Sequence, residues 1–104
     1  MGQGCRSSGV LTTTGVQVVT GRTKLVSIHA TNFHPSDYST ITIYDNTAAS
    51  GKIVAVMQLP AIDHGGGVEG GGWSMEYDMH SVICEKGIHF AFTNGTPFVT
   101  IEYA

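Results

Sequence analysis

The chain has 104 residues, which is enough for one domain and too few for two. Hydrophobic residues make up 41% of the composition, so a core can form, whereas charged residues make up only 12%. That is about half the charged share of an ordinary globular domain, and a surface with so few charges is typical of a protein that neighbouring molecules cover. The net charge of −3 argues against a nucleic-acid partner.

The fixed cations are spread along the sequence and form no run, which also disfavours nucleic-acid binding. They are Arg6, Arg22, Lys24, Lys52 and Lys86. The sequence has no apolar run of about 20 residues, and a membrane partner is not expected. The first residues lack a charged segment followed by an apolar one, so we expect no signal peptide. The two cysteines, Cys5 and Cys84, are then expected to be reduced thiols.

Residues 1–15 are rich in glycine, serine and threonine and contain little to bury, which predicts an extended arm that precedes a single β-sandwich domain over residues 16–104. A first strand is expected from Val16, and a second over residues 24–32. In the second strand, alternation predicts that Val26, Ile28 and Ala30 share the buried face. Residues 38–45 and 52–59 have the same β character, and Pro60 ends the latter run.

The segment from His64 to residue 72 contains six glycines in nine positions, which is costly to order and predicts a long exposed loop that a partner orders. Residues 73–79 alternate cleanly and predict a core stripe. The stripe comprises Trp73, Met75, Tyr77 and Met79. Further strands are expected over residues 82–84, 88–92 and 98–103, and Asn94-Gly95 predicts a hairpin turn.

These elements amount to seven or eight strands spaced 8–12 residues apart, with no helical period. The fold class is therefore all-β, an antiparallel β-sandwich with jelly-roll or Greek-key connections.

Glu76, Asp78 and His80 lie two residues apart in sequence, so on a strand they would share a face and could ligate a divalent cation. An ordinary solvent face opposite the core stripe is the favoured interpretation, and we expect no metal and no cofactor. Neither His29 nor the other histidines have the spacing of a zinc site, Cys84 has no basic neighbours to activate it, and no G-x-S-x-G motif occurs. An enzyme is therefore not expected.

Exposed aromatic residues at strand positions would favour a carbohydrate-binding module, which is the alternative from another functional class. The aromatic residues concerned are Trp73, Tyr77, Phe90, Phe92, Phe98 and Tyr103. At strand periodicity, aromatic residues are more often part of the core.

Residues 24–104, about three quarters of the chain, resemble small virion structural proteins of tailed bacteriophages. The resemblance rests on residues 27–32 (SIHATN), 41–51 (ITIYDNTAASG), 84–88 (CEKGI) and 97–103 (PFVTIEY). The resemblance implies a virion component, and within that class we favour a capsid decoration or cement protein at joints between major capsid subunits. A tail, neck or fibre-associated subunit is the alternative.

For such a protein we expect a virion location, a capsid or other virion protein as partner, and a homo-oligomer. A closed symmetric assembly is the default, and we expect a trimer. The arm and the glycine-rich loop are the expected partner contacts. The contact residues are Leu11, Thr12, Thr13, Thr14, Gly66, Val68 and Gly71. The threonines of the arm could add a strand to the edge of a neighbouring sheet.

Overall fold

The structure, a computed structural model, describes residues 4–61 and 73–104, and within these ranges every regular element is a β-strand. The strands are Arg6–Leu11 (β1), Val16–Thr20 (β2), Thr23–Asn32 (β3), Ser39–Asp45 (β4), Lys52–Leu59 (β5), Trp73–Cys84 (β6), Gly87–Thr93 (β7) and Pro97–Tyr103 (β8). The predicted all-β class is confirmed.

The strands form two four-stranded antiparallel sheets. Sheet A has the order β1-β8-β3-β6, and sheet B has the order β2-β7-β4-β5. The first strand therefore pairs with the eighth, the second with the seventh, the third with the sixth and the fourth with the fifth. This is one long hairpin rolled into two sheets, which is the jelly-roll form of the predicted sandwich.

The core lies between the sheets and is made of the alternate residues that face inward. Its fully buried members include Leu25, Ile28, Ile41, Ile43, Met57, Leu59, Cys84, Ile88, Phe90, Val99 and Ile101. Each large apolar side chain removed from water contributes about 1.5–3 kcal/mol, so this set is what offsets the ordering of the eight strands.

The side-chain alternation of β3 differs from the prediction at one residue, Val26. Leu25 and Ile28 are both fully buried, whereas Val26 is only partly buried, because the pairing register of β3 shifts between Leu25 and Ser27 against both of its neighbours. An extra residue at a bulge changes which residues face inward: the alternation that holds before the bulge is shifted by one residue after it. Ser27 and His29 consequently face outward, as expected.

The N-terminal segment also differs from the prediction. Residues 1–15 were expected to form an arm outside the sandwich, but β1 pairs with β8, and Leu11 opposite Val99 packs against the core. The Ser8 hydroxyl accepts a hydrogen bond from the Ile101 N–H at 2.9 Å. An edge strand needs only one apolar face, so a segment rich in serine and glycine can still belong to a sheet.

The connections between strands gather at two ends of the sandwich. The end that holds the start of β1, the end of β8 and the β2–β3, β4–β5 and β6–β7 connections is called the first end. The opposite end holds the β1–β2, β3–β4 and β7–β8 connections. In the last of these, Asn94 and Gly95 have φ values of 64° and 75°, which confirms the predicted hairpin turn.

A buried carboxylate organises the first end. Asp45 accepts hydrogen bonds from the N–H groups of Glu85 at 2.9 Å and Lys86 at 2.7 Å, and thereby ties the end of β4 to the β6–β7 turn. Burial alone would raise the pKa of Asp45. The backbone N–H groups of Lys86, Glu85 and Gly87, together with the charge of Lys52, outweigh burial and lower that pKa.

Candidate functional site

The outer face of sheet A carries a polar cluster centred on His29. The ring lies between two carboxylates, with Nε2 3.5 Å from Glu102 Oε1 and Nδ1 3.9 Å from Glu76 Oε1. The cluster forms because β3 lies between β6 and β8, where His29 is opposite Glu76 and Ser27 is opposite Glu102. The sequence offered no motif for it, since its members come from three strands.

The hydrogen bonding of the cluster does not activate a nucleophile. The Ser27 hydroxyl donates to Glu102 Oε1 at 2.5 Å, while the distance from Ser27 Oγ to His29 Nε2 is 3.3 Å. The Ser27 hydrogen bond lowers the pKa of Glu102, and His29 lowers it further. Because its proton already goes to a carboxylate, Ser27 lacks the serine-to-histidine hydrogen bond on which nucleophilic catalysis depends.

The candidate cation ligands of β6 are not brought together. Glu76 lies beside His29, whereas Asp78 Oδ1 accepts the backbone N–H of His80 at 2.9 Å. His80 and Ser81 have φ values of 53° and 57°, so the strand alternation breaks before the predicted ligand set is complete. Among residues 4–61 and 73–104, no group of three or more histidine, cysteine or acidic side chains could hold a metal ion.

The predicted core stripe of β6 is found in part. Tyr77 and Met79 pack against the core, whereas Met75 is exposed because β6 is an edge strand with a neighbour on one side only. The side chain of Trp73 lies outside the part of the chain that the structure describes.

An exposed aromatic pair flanks the polar cluster on the same face. The rings of Phe33 and Phe98 meet edge to face with their centroids 5.0 Å apart, and both are more than two-fifths exposed. Together with Val10, Thr31 and Thr100 they line a shallow cleft beside His29. Phe98 was among the residues considered for a sugar site, but Phe33, in the β3–β4 connection, was not.

The outer face of sheet B has a different character. Its outward residues follow from the register of β7, β4 and β5, in which Thr42 lies between Ala91 and Val56, and Thr40 lies between Thr93 and Gln58. We call this surface the neutral face. It comprises Gln17, Thr40, Thr42, Tyr44, Ile53, Val56, Gln58, His89, Ala91 and Thr93. It contains no carboxylate, lysine or arginine, and Ile53 and Val56 are each about half exposed.

The fixed cations, scattered in the sequence, are gathered by the fold. Each lies at the first end: in the β2–β3 and β6–β7 turns, at the starts of β1 and β5, and near the start of β3. We call this set the basic end. Its members are Arg6, Arg22, Lys24, Lys52 and Lys86. Arg22 Nε lies 3.3 Å from Glu85 Oε1, and Arg22 and Lys24 line a cleft of about 260 Å³ with Thr23, Ile83 and Ala104.

The predicted contact residues are not gathered into one site. Leu11 is partly buried against the core, and residues 12–15 form the β1–β2 connection, where Thr14 Oγ1 accepts the N–H of Phe92 at 2.9 Å. Thr12 and Thr13 are exposed in that connection. The predicted contacts Gly66, Val68 and Gly71 lie outside the described residues, as does His64.

The two cysteines lie in different surroundings and form no disulfide. Cys5 is exposed and Cys84 is buried. Burial raises the pKa of the Cys84 thiol to about 11, and the charge of Asp45 acts in the same direction. A thiol with so high a pKa is almost fully protonated at neutral pH and is a poor nucleophile.

Comparison of the chain with protein-family models, curated proteins and solved structures finds no match. None of the described residues belongs to a helix long and apolar enough to span a bilayer.

Proposed function

We propose that this chain is a non-enzymatic structural subunit of a virus particle, a capsid decoration or cement protein that binds at joints between major capsid subunits. In this proposal, the neutral face of sheet B is the surface that packs against the neighbouring subunit. The resemblance of residues 24–104 to small virion proteins of tailed phages supports the setting.

The observation that carries the proposal is the absence of charge from the outward residues described for sheet B. Burying an ion at an interface has an effective desolvation penalty of several kcal/mol, whereas threonine hydroxyls and aliphatic side chains are far cheaper to desolvate. Interface centres are accordingly depleted in charged residues. Ile53 and Val56 supply apolar area on this face, and Thr40 and Thr42 supply polar groups that can pair with a partner.

The test is quantitative mass spectrometry of purified particles from the phage lysate in which the chain is made, followed by rebinding to particles stripped of it. The expected result is a fixed ratio of the chain to the major capsid protein. Val56→Lys should lower occupancy at least tenfold, because a buried unpaired charge costs several kcal/mol.

Val10→Lys is the matched control, since Val10 is also an exposed valine of an edge strand but lies on sheet A. It should bind as the unmodified chain does. Absence of the chain from particles would refute the viral setting, and equal rebinding of Val56→Lys would refute the role of the neutral face.

A carbohydrate-binding module is the second candidate, and the exposed pair Phe33 and Phe98 favours it. Aromatic rings beside hydroxyl and imidazole groups are the chemistry that neutral sugars use, and Thr31, Thr100 and His29 provide those polar groups. A titration with a panel of oligosaccharides, monitored by NMR chemical shifts, checks this function. Binding that is abolished by Phe98→Ala would support it, and the absence of a chemical-shift change with every sugar tested would refute it.

A further inference from the structure

Each sheet of the sandwich has two edge strands, and three of these four strands have features that block pairing with another chain. β1 and β2 have only six and five residues, and a register shift interrupts the pairing of each strand near its middle. β6 carries Glu76 and Asp78 on its outer face, and its pairing with β3 is interrupted between Asp78 and Val82. Short length, bulges and charged side chains are the means by which natural proteins protect the unpaired backbone of an edge strand.

The fourth edge strand, β5, lacks this protection over its last five residues. Residues 55–59 pair with β4 residue by residue without a register shift, because the shift in this pair of strands lies before them, at Val54. The five residues have the sequence AVMQL and carry no charge. Among the strands that the structure describes, β5 pairs with β4 alone, so its other side has no partner strand within one copy. A regular, uncharged edge of this kind is a template for another strand.

Exposed apolar side chains are concentrated on the same side of the sandwich. β5 and β6 are the edge strands of that side, one in each sheet, and they lie next to each other. Nine large hydrophobic residues are exposed among those that the structure describes, and five of them lie in these two strands, whereas β1 and β2 on the other side contribute only Val10. The five are Ile53, Val56, Met75, Val82 and Ile83. Exposed apolar area beside an open strand edge is typical of a surface that another protein chain covers.

We propose that two copies of this chain pair through β5, antiparallel to each other, about a two-fold axis that passes through Met57. The run 55–59 is centred on Met57, so this axis places Val56 of each copy opposite Gln58 of the other, and Ala55 opposite Leu59. Residues directly opposite each other point to the same face of a sheet. Val56 and Gln58 are both exposed and face outward, whereas Ala55 and Leu59 are both buried, so the alternation of the two copies matches.

A second copy fits this edge because the contact brings no charge against its own duplicate. The same symmetric pairing through β6 would bring Glu76 and Asp78 of the two copies together, and like charges on opposed strands are destabilising. The contact through β5 is isologous and closes with two copies, so a trimer would need a second kind of contact.

The pairing would join two copies of sheet B into one sheet of eight strands. The axis is perpendicular to the sheet, so the neutral faces of both copies would lie on the same side and form one continuous surface. The dimer contact itself is the backbone edge of β5. It needs no capsid partner and does not rest on the proposed function, and the purified chain is sufficient to test it.

The first experiment is sedimentation velocity of the full chain over a concentration series. We expect a monomer–dimer equilibrium whose dissociation constant changes less than about twofold between about 0.05 M and 0.5 M salt, because the paired run has no charge to screen. Val56→Lys should weaken dimerisation at least tenfold, since lysine on an edge strand opposes pairing. Thr93→Lys is the matched control, because it adds the same charge to the neutral face in β7, two strand spacings or about 10 Å from β5. It should dimerise as the unmodified chain does, and circular dichroism should show both variants folded.

Cysteine cross-linking tests the register, in a Cys5→Ser background that removes the exposed native thiol. Val56→Cys copies mixed with Gln58→Cys copies should form an intermolecular disulfide under mild oxidation, because the two positions are directly opposite. Neither variant should cross-link to itself, since its two cysteines would lie on a diagonal of about 7–8 Å, which is beyond the reach of a disulfide.

Hydrogen exchange tests whether the backbone edge is the contact. Amides of β5 should exchange more slowly at a concentration that favours the dimer than after dilution, whereas amides of β1 should not change. A monomer at every concentration, protection of β5 that dilution does not alter, an equal effect of Thr93→Lys, or cross-linking of a single variant as efficient as that of the mixture would overturn the proposal. A monomer that still binds capsids would overturn the dimer alone, and a dimer that is absent from particles would refute the proposed function alone.

Discussion

Asn32 is the polar residue on which the end of the sandwich opposite the basic end depends. Its side chain is fully buried, and its Nδ2 lies within 3.0–3.3 Å of the carbonyl oxygens of Asp37, Leu59 and Pro60. Its Oδ1 accepts the N–H groups of His34 at 3.1 Å and Thr96 at 3.0 Å. One amide thus joins three connections, and we predict that Asn32→Ala is strongly destabilising.

The size of the effect follows from the number of bonds and their burial. Two Nδ2 protons and one oxygen with two lone pairs allow four full hydrogen bonds, each with a net contribution of about 0.5–1.5 kcal/mol. Truncation also leaves the buried Leu59 carbonyl without its donor, which costs about 1–3 kcal/mol. The sum is about 3–9 kcal/mol, and even its lower end is a large part of the 5–15 kcal/mol by which a domain is normally stable.

Urea denaturation measures the effect, and Asn46→Ala is the matched control. The Asn46 side chain also bonds several groups of its loop, the Ser50 carbonyl and the Thr47 N–H among them, but these bonds are exposed and water can replace them. We expect Asn46→Ala to cost less than about 1 kcal/mol. Equal losses for the two variants, or a loss below about 1 kcal/mol for Asn32→Ala, would refute the view that burial makes Asn32 important.

Three further predictions concern single residues. The pKa of Asp45 is lower in the folded chain than in the unfolded chain, so the ionised carboxylate stabilises the fold above about pH 4, and this stabilisation is lost as pH falls through the folded pKa. Between about pH 7 and pH 3, the melting temperature should therefore drop less in Asp45→Asn than in the unmodified chain. A thiol reagent at pH 8 should modify Cys5 at once and Cys84 only on unfolding, and rapid loss of both thiols would contradict the buried position of Cys84. Gly87→Ala should cost more than about 3 kcal/mol, because φ is 137° and the new Cβ would lie 2.4 Å from a backbone oxygen, whereas Gly15→Ala, with open space around it, should cost about 1 kcal/mol in a thermal melt.

Much of the fold could be predicted because alternation is a local property. The runs that became β4, β5, β7 and β8 show a period of two directly in the sequence, and Asn94-Gly95 marks its turn by the residue types that tolerate positive φ. The phase of β3 could not be predicted in the same way. The bulge at Val26 is set by pairing with β6 and β8, which no pattern within the strand reveals.

The edge strand β1 was missed for a related reason. A strand is predicted from the sequence when alternate residues are apolar and can form a buried face. In β1, Leu11 packs against the core and the other residues contribute little to it. Its place in sheet A comes from hydrogen bonds to β8, a strand about 90 residues later, including the bond from the Ile101 N–H to Ser8 Oγ. The backbone N–H and C=O groups of serine and glycine can pair as those of other residues do, so a segment with little to bury could still form a strand.

The grouping of the cations could not be predicted from the sequence either. The fixed cations are scattered along the sequence, but the fold brings them to one end of the sandwich. In a jelly roll, successive strands run in opposite directions, so the connections that follow β2, β4 and β6 all lie at the same end of the sandwich. Lys52 and Lys86 are 34 positions apart and lie at that end because each begins or precedes a strand there. A topology-aware interpretation of charge would have placed each cation by strand end instead of by distance along the sequence.

The basic end and the neutral face differ in the distance over which each can act on a partner. Charge at the basic end can attract from about a Debye length away, but exposed ion pairs contribute at most about 1 kcal/mol each and weaken with salt. The neutral face exerts no such long-range attraction, yet it can be buried against a partner without leaving an unpaired charge in the interface. In the proposed role, charged contacts at the basic end would affect how fast a partner is met, and the neutral face around Val56 would supply the apolar area that holds the partner. Reversal of the charge of Lys24 should accordingly change the salt dependence of association with the capsid, whereas Val56→Lys should change the rate of dissociation from it.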